Sequence, residues 1–112
     1  MPDCIFCKII AGEIPSNKLY EDDLCYAFYD IHPQSDTHFL VVPKEHIASA
    51  SALTERNASI VAHIFTVIPR LAEQLGLESY RIINNCGEGA GQTVFHLHFH
   101  VLSGANLGEK LV

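Results

Sequence analysis

Basic residues are scarce in this chain: Lys and Arg total 7 against 13 Asp and Glu, a formal charge of −6. No basic run is present to release counterions from a phosphate backbone, which disfavours nucleic-acid binding. No apolar run approaches the roughly 20 residues of a membrane span, which disfavours a membrane protein. The opening Met1-Pro2-Asp3-Cys4 has an acid where a secretory leader needs a basic segment and then an apolar one, so a soluble cytoplasmic protein is expected. No repeat, low-complexity tract or polar linker interrupts the 112 residues, of which 48% are hydrophobic. That is material for one core and too little length for two, so one domain over 1–112 is expected to hold the whole function. Without a secretory leader, disulfide pairing is not expected, and Cys4 and Cys7 read as thiols or metal ligands.

Turn residues fall at short intervals, at Gly12, Pro15, Pro33, Pro43, Gly76 and the cluster from Gly87 to Gly91, and the elements lie between them. Residues 4–11 read as a short helix stopped by Gly12. Aromatic and β-branched runs predict strands over 24–29, 38–42, 81–84 and 94–102. Thr54 suits a helix N-cap, and Ile60, Ile64, Val67, Ile68, Leu71 and Leu75 then recur at helical spacing up to Gly76. Pro69 lies inside that run and predicts a kink. Strands, one main helix and more strands indicate an α+β domain with a largely antiparallel sheet.

The most informative stretch is His96-Leu97-His98-Phe99-His100-Val101. Side chains alternate across a strand, so the three histidines emerge on one face, spaced by roughly 6.5–7 Å, while Leu97, Phe99 and Val101 face the core. A lone strand histidine is usually just hydrogen-bonded, and two at i and i+2 are often joint metal ligands. Three in strict alternation form a chemical surface that packing alone would not require. The preceding loop, Asn84 to Thr93, is spaced with glycines, whose backbone N–H groups approach an anion closely. It has neither G-x-G-x-x-G nor P-loop spacing and leads into a strand, which excludes the Rossmann and Walker readings. A plain hairpin loop and a phosphate-binding loop both fit it; its junction with the histidines favours phosphate.

Gly91-Gln92-Thr93-Val94-Phe95-His96-Leu97-His98-Phe99-His100-Val101-Leu102 resembles the signature of the histidine triad nucleotide hydrolases and transferases. The segments Phe6–Ile10, Glu13–Pro15, Phe28–Ile31, Pro33-Gln34 and Thr37–Lys44 are similar to the Hint branch of that family, so the resemblance spans almost the whole chain. It implies an antiparallel sheet of about five strands with one long helix and a short N-terminal helix, and a homodimer whose two sheets join. It also implies hydrolysis of purine nucleoside phosphoramidates or aminoacyl-adenylates, derivatives of AMP or GMP. His98 would be the nucleophile, forming a nucleotidyl-histidine that water then hydrolyses; such covalent catalysis divides one hard displacement into two easier ones. His100 would donate a hydrogen bond beside the α-phosphate, with His38 supporting the triad. Gln92 and Thr93, after Gly91, would hold phosphate oxygens or the leaving group. Asp30 would bind the ribose, Asn85 would lie near sugar and phosphate, and Ile5, Phe6 and Ile31 would form the apolar base pocket.

The two-residue spacing of Cys4 and Cys7 lets one turn present two thiolates, but a tetrahedral metal needs two more ligands. The resemblance supplies them as His46 and His96, implying one structural zinc per chain. Cys25 and Cys86 read as core or loop residues, and His32 and His63 as exposed. After Leu102 the chain departs from the family, because its ending has no tryptophan; leaving-group selectivity is expected to differ accordingly. Two other functions stay open at this level: a dinucleoside polyphosphate hydrolase of the same family, and a non-catalytic nucleotide-binding regulator.

Overall fold

The computed structural model describes residues 3–112. Its sheet comprises β1 (Lys18–Glu21), β2 (Cys25–Tyr29), β3 (Thr37–Pro43), β4 (Arg81–Ile83) and β5 (Phe99–Ser103), with two α-helices, α1 (Ile5–Ile10) and α2 (Ala58–Gln74). All neighbours pair antiparallel, in the order β1-β2-β3-β5-β4. Both faces are covered, which is why β2 and β3 read as continuous apolar runs rather than as alternating ones. On one face Ile60, Ile64, Val67, Ile68 and Leu71 of α2 pack on Cys25, Ala27, Phe39, Val41, Phe99 and Val101. On the other, Phe6 and Ile9 of α1, with Cys4, pack on Tyr26, Phe28, Leu40 and Val42. Full burial of each large aliphatic or aromatic side chain contributes about 1.5–3 kcal/mol, so these two layers dominate stability. No helix among the described residues is long and apolar enough to cross a membrane.

Several boundaries differ from the sequence expectation for identifiable reasons. Short and half-exposed, β1 carries little apolar signal, and none was expected there. The long helix begins at Ala58, not beside Thr54. Thr54 and Asn57 instead bond reciprocally, Thr54 N–H to Asn57 Oδ1 at 2.7 Å and Asn57 N–H to Thr54 Oγ1 at 3.4 Å, closing a separate turn just before the helix. Pro69 lies inside the helix as expected: its ring is on the exposed side, and the buried Leu71 and Ala72 follow it in the last turn. The strand expected over 94–102 begins only at Phe99, because the ladder to β3 stops at the Val41–Phe99 pair and the ladder to β4 at Ile83–His100. His96 and His98 therefore precede the strand, yet burial keeps the strand's alternation, with Leu97 in the α2 layer and the two histidines turned toward α1.

Candidate active site and metal centre

Where the ladder ends, other groups hold the histidine segment. Leu97 N–H donates to Ile47 C=O at 2.6 Å, and Asn84 Nδ2 donates to the carbonyl of His98 at 2.9 Å, doing with a side chain what the next β4 residue would do with its backbone. His98 is buried against the edge of Phe6, ring centroids 5.2 Å apart, and meets His100 at 5.0 Å. Its Nδ1 lies 2.8 Å from the carbonyl of His96. A carbonyl only accepts, so Nδ1 carries the proton and Nε2 keeps its lone pair; this is the tautomer a nucleophile attacking through Nε2 needs.

A second chain of bonds sets His100. The N–H of Gln34 donates to His38 Nδ1 at 3.1 Å, so the proton of His38 is on Nε2, which donates to His100 Nδ1 at 2.9 Å. His100 must then carry its own proton on Nε2 and present it outward as a donor. Burial, followed by the neighbouring His98 and His38, pushes His100 down to about 4, so it is neutral at pH 7. Burial also lowers His38, against an opposing pull from Asp30, whose Oδ2 lies 3.5 Å from His38 Nε2. Asp30 Oδ1 accepts from His32 N–H at 2.8 Å, which fixes the carboxylate at the end of β2.

The glycine loop contains one short 3-10 turn, Glu88–Ala90, between Gly87 at φ 93° and Gly91 at φ 91°. These are left-handed conformations that favour glycine. Asn85 lies against it, its Nδ2 3.8 Å from where a Cβ on Gly91 would stand. Thr93 is exposed and available to a ligand. Gln92 departs from the expectation that it holds phosphate: its side chain is buried and bonded to Gly87 N–H, Ala48 C=O and Val94 C=O. Of the three apolar residues expected around a base, Phe6 is buried against His98, while Ile5 and Ile31 stand exposed, Ile31 at 83%.

Cys4, Cys7, His46 and His96 converge, all four ligand atoms within 4.8 Å of one another. Cys4 Sγ lies 3.3 Å from His96 Nδ1, and Cys7 Sγ lies 3.4 Å from His46 Nδ1 and 3.6 Å from His96 Nδ1. Tetrahedral zinc, with bonds of about 2.3 Å to sulfur and 2.0–2.1 Å to nitrogen, places such atoms about 3.6 Å apart, so the donor set fits. His96 is completed from behind: its Nε2 donates to the carbonyl of Pro43 at 2.7 Å, leaving the Nδ1 lone pair directed at the thiols. Burial, then Cys4, raises the Cys7 thiol, and a divalent cation would reverse that shift.

His63, expected to be exposed, is half-buried and bonded through Nε2 to Asp22 Oδ2 at 2.7 Å. Burial raises the Asp22 carboxyl, but donors from His63, Tyr20 and the backbone of Leu24 and Cys25 outweigh it and hold it well below the usual range. The cluster fastens α2 to the β1–β2 turn. Cys25 is core and Cys86 an exposed loop residue, as the sequence reading had them. The groups that sequence reasoning missed are mostly backbone: the carbonyls of His96 and Pro43 and the N–H of Gln34, together with the Asn84 amide. The only signal for any of them was the position of Asn84 next to the glycine loop.

Comparison with known proteins gives a consistent set. A family model described as the HIT domain matches residues 11–107. The purine nucleoside phosphoramidase of Escherichia coli (strain K12) is 40% identical over 111 residues, 97% of this chain and 93% of that protein. Among solved structures, a HIT family hydrolase from Clostridium thermocellum is 46% identical with a TM-score of 0.97, covering 100% of this chain and 99% of that one. A histidine triad protein from Clostridium difficile is 47% identical with a TM-score of 0.95, covering 98% and 97%.

Proposed function

The chain belongs to the HIT family, and from that premise we propose that it is a nucleotide hydrolase cleaving purine nucleoside phosphoramidates or aminoacyl-adenylates at the α-phosphorus. The observation that carries the reading is the 2.8 Å bond from His98 Nδ1 to the carbonyl of His96, which leaves Nε2 as the free nucleophilic nitrogen. In the first step Nε2 attacks phosphorus, the bond to the leaving group breaks, and the leaving atom takes up a proton from solvent, which the attacking water of the second step gives back. Water then attacks the nucleotidyl-His98 phosphorus, releasing the nucleoside monophosphate and restoring the imidazole. His100, neutral and protonated on Nε2, donates to a phosphate oxygen as charge develops. Asp30 takes the ribose hydroxyls. Phe6, Ile5 and Ile31 take the base, the exposed isoleucines leaving apolar surface for it to cover, and Gly91, Thr93 and Asn85 face the phosphate.

Cys4, Cys7, His46 and His96 would hold one structural zinc, whose closed shell supplies folding energy and has no open position for catalysis. A homodimer of this one-domain chain is part of the same reading.

Incubation with adenosine 5′-phosphoramidate, rapid quenching and intact-mass analysis tests the proposal. An adduct of one adenylyl group mapping to His98, absent in His98→Ala, is expected. Neither adduct nor AMP formed would refute it and leave a nucleotide-binding module.

A further inference from the structure

The geometry points to Gln92 as a positioning residue that sets the shape of the glycine loop and touches no substrate, a role that rests on the reading of this loop as the phosphate-facing wall. The loop cannot hold itself. Its turns depend on Gly87 and Gly91 in left-handed conformations, and Glu88, Gly89, Ala90 and Gly91 are all exposed, so no packed side chain of its own fixes it.

Gln92, 2% exposed, supplies the missing constraint from beneath. Its backbone N–H donates to Gly87 C=O at 3.1 Å while its side-chain Oε1 accepts from Gly87 N–H at 2.9 Å, so the two residues are joined in both directions and the loop between them is closed into a ring. Its Nε2 donates to Ala48 C=O at 2.8 Å and to Val94 C=O at 3.0 Å. A side-chain amide has two N–H donors, and both are used.

These bonds tie three segments together. Ala48 follows Ile47, whose carbonyl receives the Leu97 N–H at 2.6 Å, so the stretch after His46 is held by the histidine segment on one side and by Gln92 on the other. Val94 leads into the histidines. A Gln92 side chain that swung out to a phosphate oxygen would leave Gly87 N–H, Ala48 C=O and Val94 C=O without these partners at once. What the loop offers a phosphate is the Gly91 backbone and the exposed Thr93, held at a fixed distance from His98 by Gln92.

The test combines side-chain NMR with kinetics on the full-length protein. The Gln92 NH₂ signals of ¹⁵N-labelled protein should be protected from exchange without ligand and stay unmoved when AMP shifts Gly91, Thr93 and His98. Gln92→Met conserves volume but has no amide. It should speed exchange of the Gly87 N–H and lower kcat on adenosine 5′-phosphoramidate by about 10- to 100-fold, the scale of a slight misplacement of reacting groups, with AMP affinity within about threefold. A merely structural role would lower the folded fraction while kcat per burst-titrated site stayed at the wild-type value, and that result would overturn the proposal. So would Gln92 NH₂ signals that move with AMP together with a Gln92→Met variant binding AMP more than about tenfold more weakly, the pattern of a direct ligand. AMP that shifts none of Gly91, Thr93 and His98 would instead overturn the nucleotide site, and with it the role of Gln92 there.

Discussion

Replacing His38 by alanine should slow catalysis more than it weakens nucleotide binding. His38 takes one proton direction from the backbone, Gln34 N–H to Nδ1 at 3.1 Å, and passes it on, Nε2–H to His100 Nδ1 at 2.9 Å. Its loss leaves His100 Nδ1 with no donor in a site that already pushes His100 down to about 4 by burial first. The other tautomer, with the proton on Nδ1, then becomes accessible and aims a lone pair at the phosphate where a donor is needed. An orphaned buried acceptor costs about 1–3 kcal/mol, the low end applying if water enters the space left by the ring. Expressed as a barrier, that is a loss of roughly 5- to 150-fold in kcat. Asp30, the proposed ribose ligand, loses the His38 Nε2 neighbour at 3.5 Å but keeps the His32 N–H on its Oδ1 at 2.8 Å, so KM should rise by less than kcat falls. The assay is steady-state turnover of adenosine 5′-phosphoramidate with AMP affinity measured separately, and ¹⁵N shifts of the imidazoles to read which nitrogen is protonated. A His38→Ala variant within about twofold of wild type in kcat, or wild-type spectra with the proton on His100 Nδ1, would refute the relay.

Metal removal and acid probe other parts of the site. Stoichiometric zinc is expected on the purified protein, and a strong chelator should lower the melting temperature; at a hundredfold excess of metal over its dissociation constant the lost linkage is about 2.7 kcal/mol, roughly 10 °C or more for a chain of this size. No bound metal, or an unchanged melting temperature, would remove the structural-metal reading. His100, near 4 when folded and near 6.5 when unfolded, is charged only in the unfolded chain between those values. Its contribution is therefore complete above about pH 6.5 and is lost as pH falls toward 4, with His38 moving in the same direction. His98, His38 and Asp30 are the titratable groups facing it. Melting temperature against pH should fall less steeply over that window in His100→Gln than in wild type; parallel slopes would count against a neutral, buried His100.

Side-chain chemistry was legible in the sequence to the extent that it rests on periodicity and residue type. Alternation in His96-Leu97-His98-Phe99-His100 separated core from site, and it holds even where the ladder has ended, because Leu97 is anchored by Ile47 and His98 by the Asn84 amide. Strand β1 was not legible, since the half-exposed Lys18–Glu21 has neither the burial nor the pattern that marks a strand on its own. Nor was the role of Gln92, because a glutamine beside a glycine loop reads equally as ligand or as brace until its partners are known. Least visible were the acceptors, since every residue has a backbone carbonyl and composition says nothing about where one points.

His96 shows how much this hides. Its imidazole is readable as a ligand, Nδ1 toward the two thiols with Nε2 held by Pro43, whereas its carbonyl, which any residue would supply, fixes the proton of His98 on Nδ1 and leaves Nε2 free for the proposed attack. One residue thus places the Cys/His cluster and the proposed nucleophile on the same short stretch of backbone. A substitution at 96 that spared the fold would keep this carbonyl and with it the His98 tautomer, while removing one donor from the Cys/His cluster; under the proposed mechanism the three histidines therefore differ in kind, His98 attacking, His100 donating and His96 bracing the cluster.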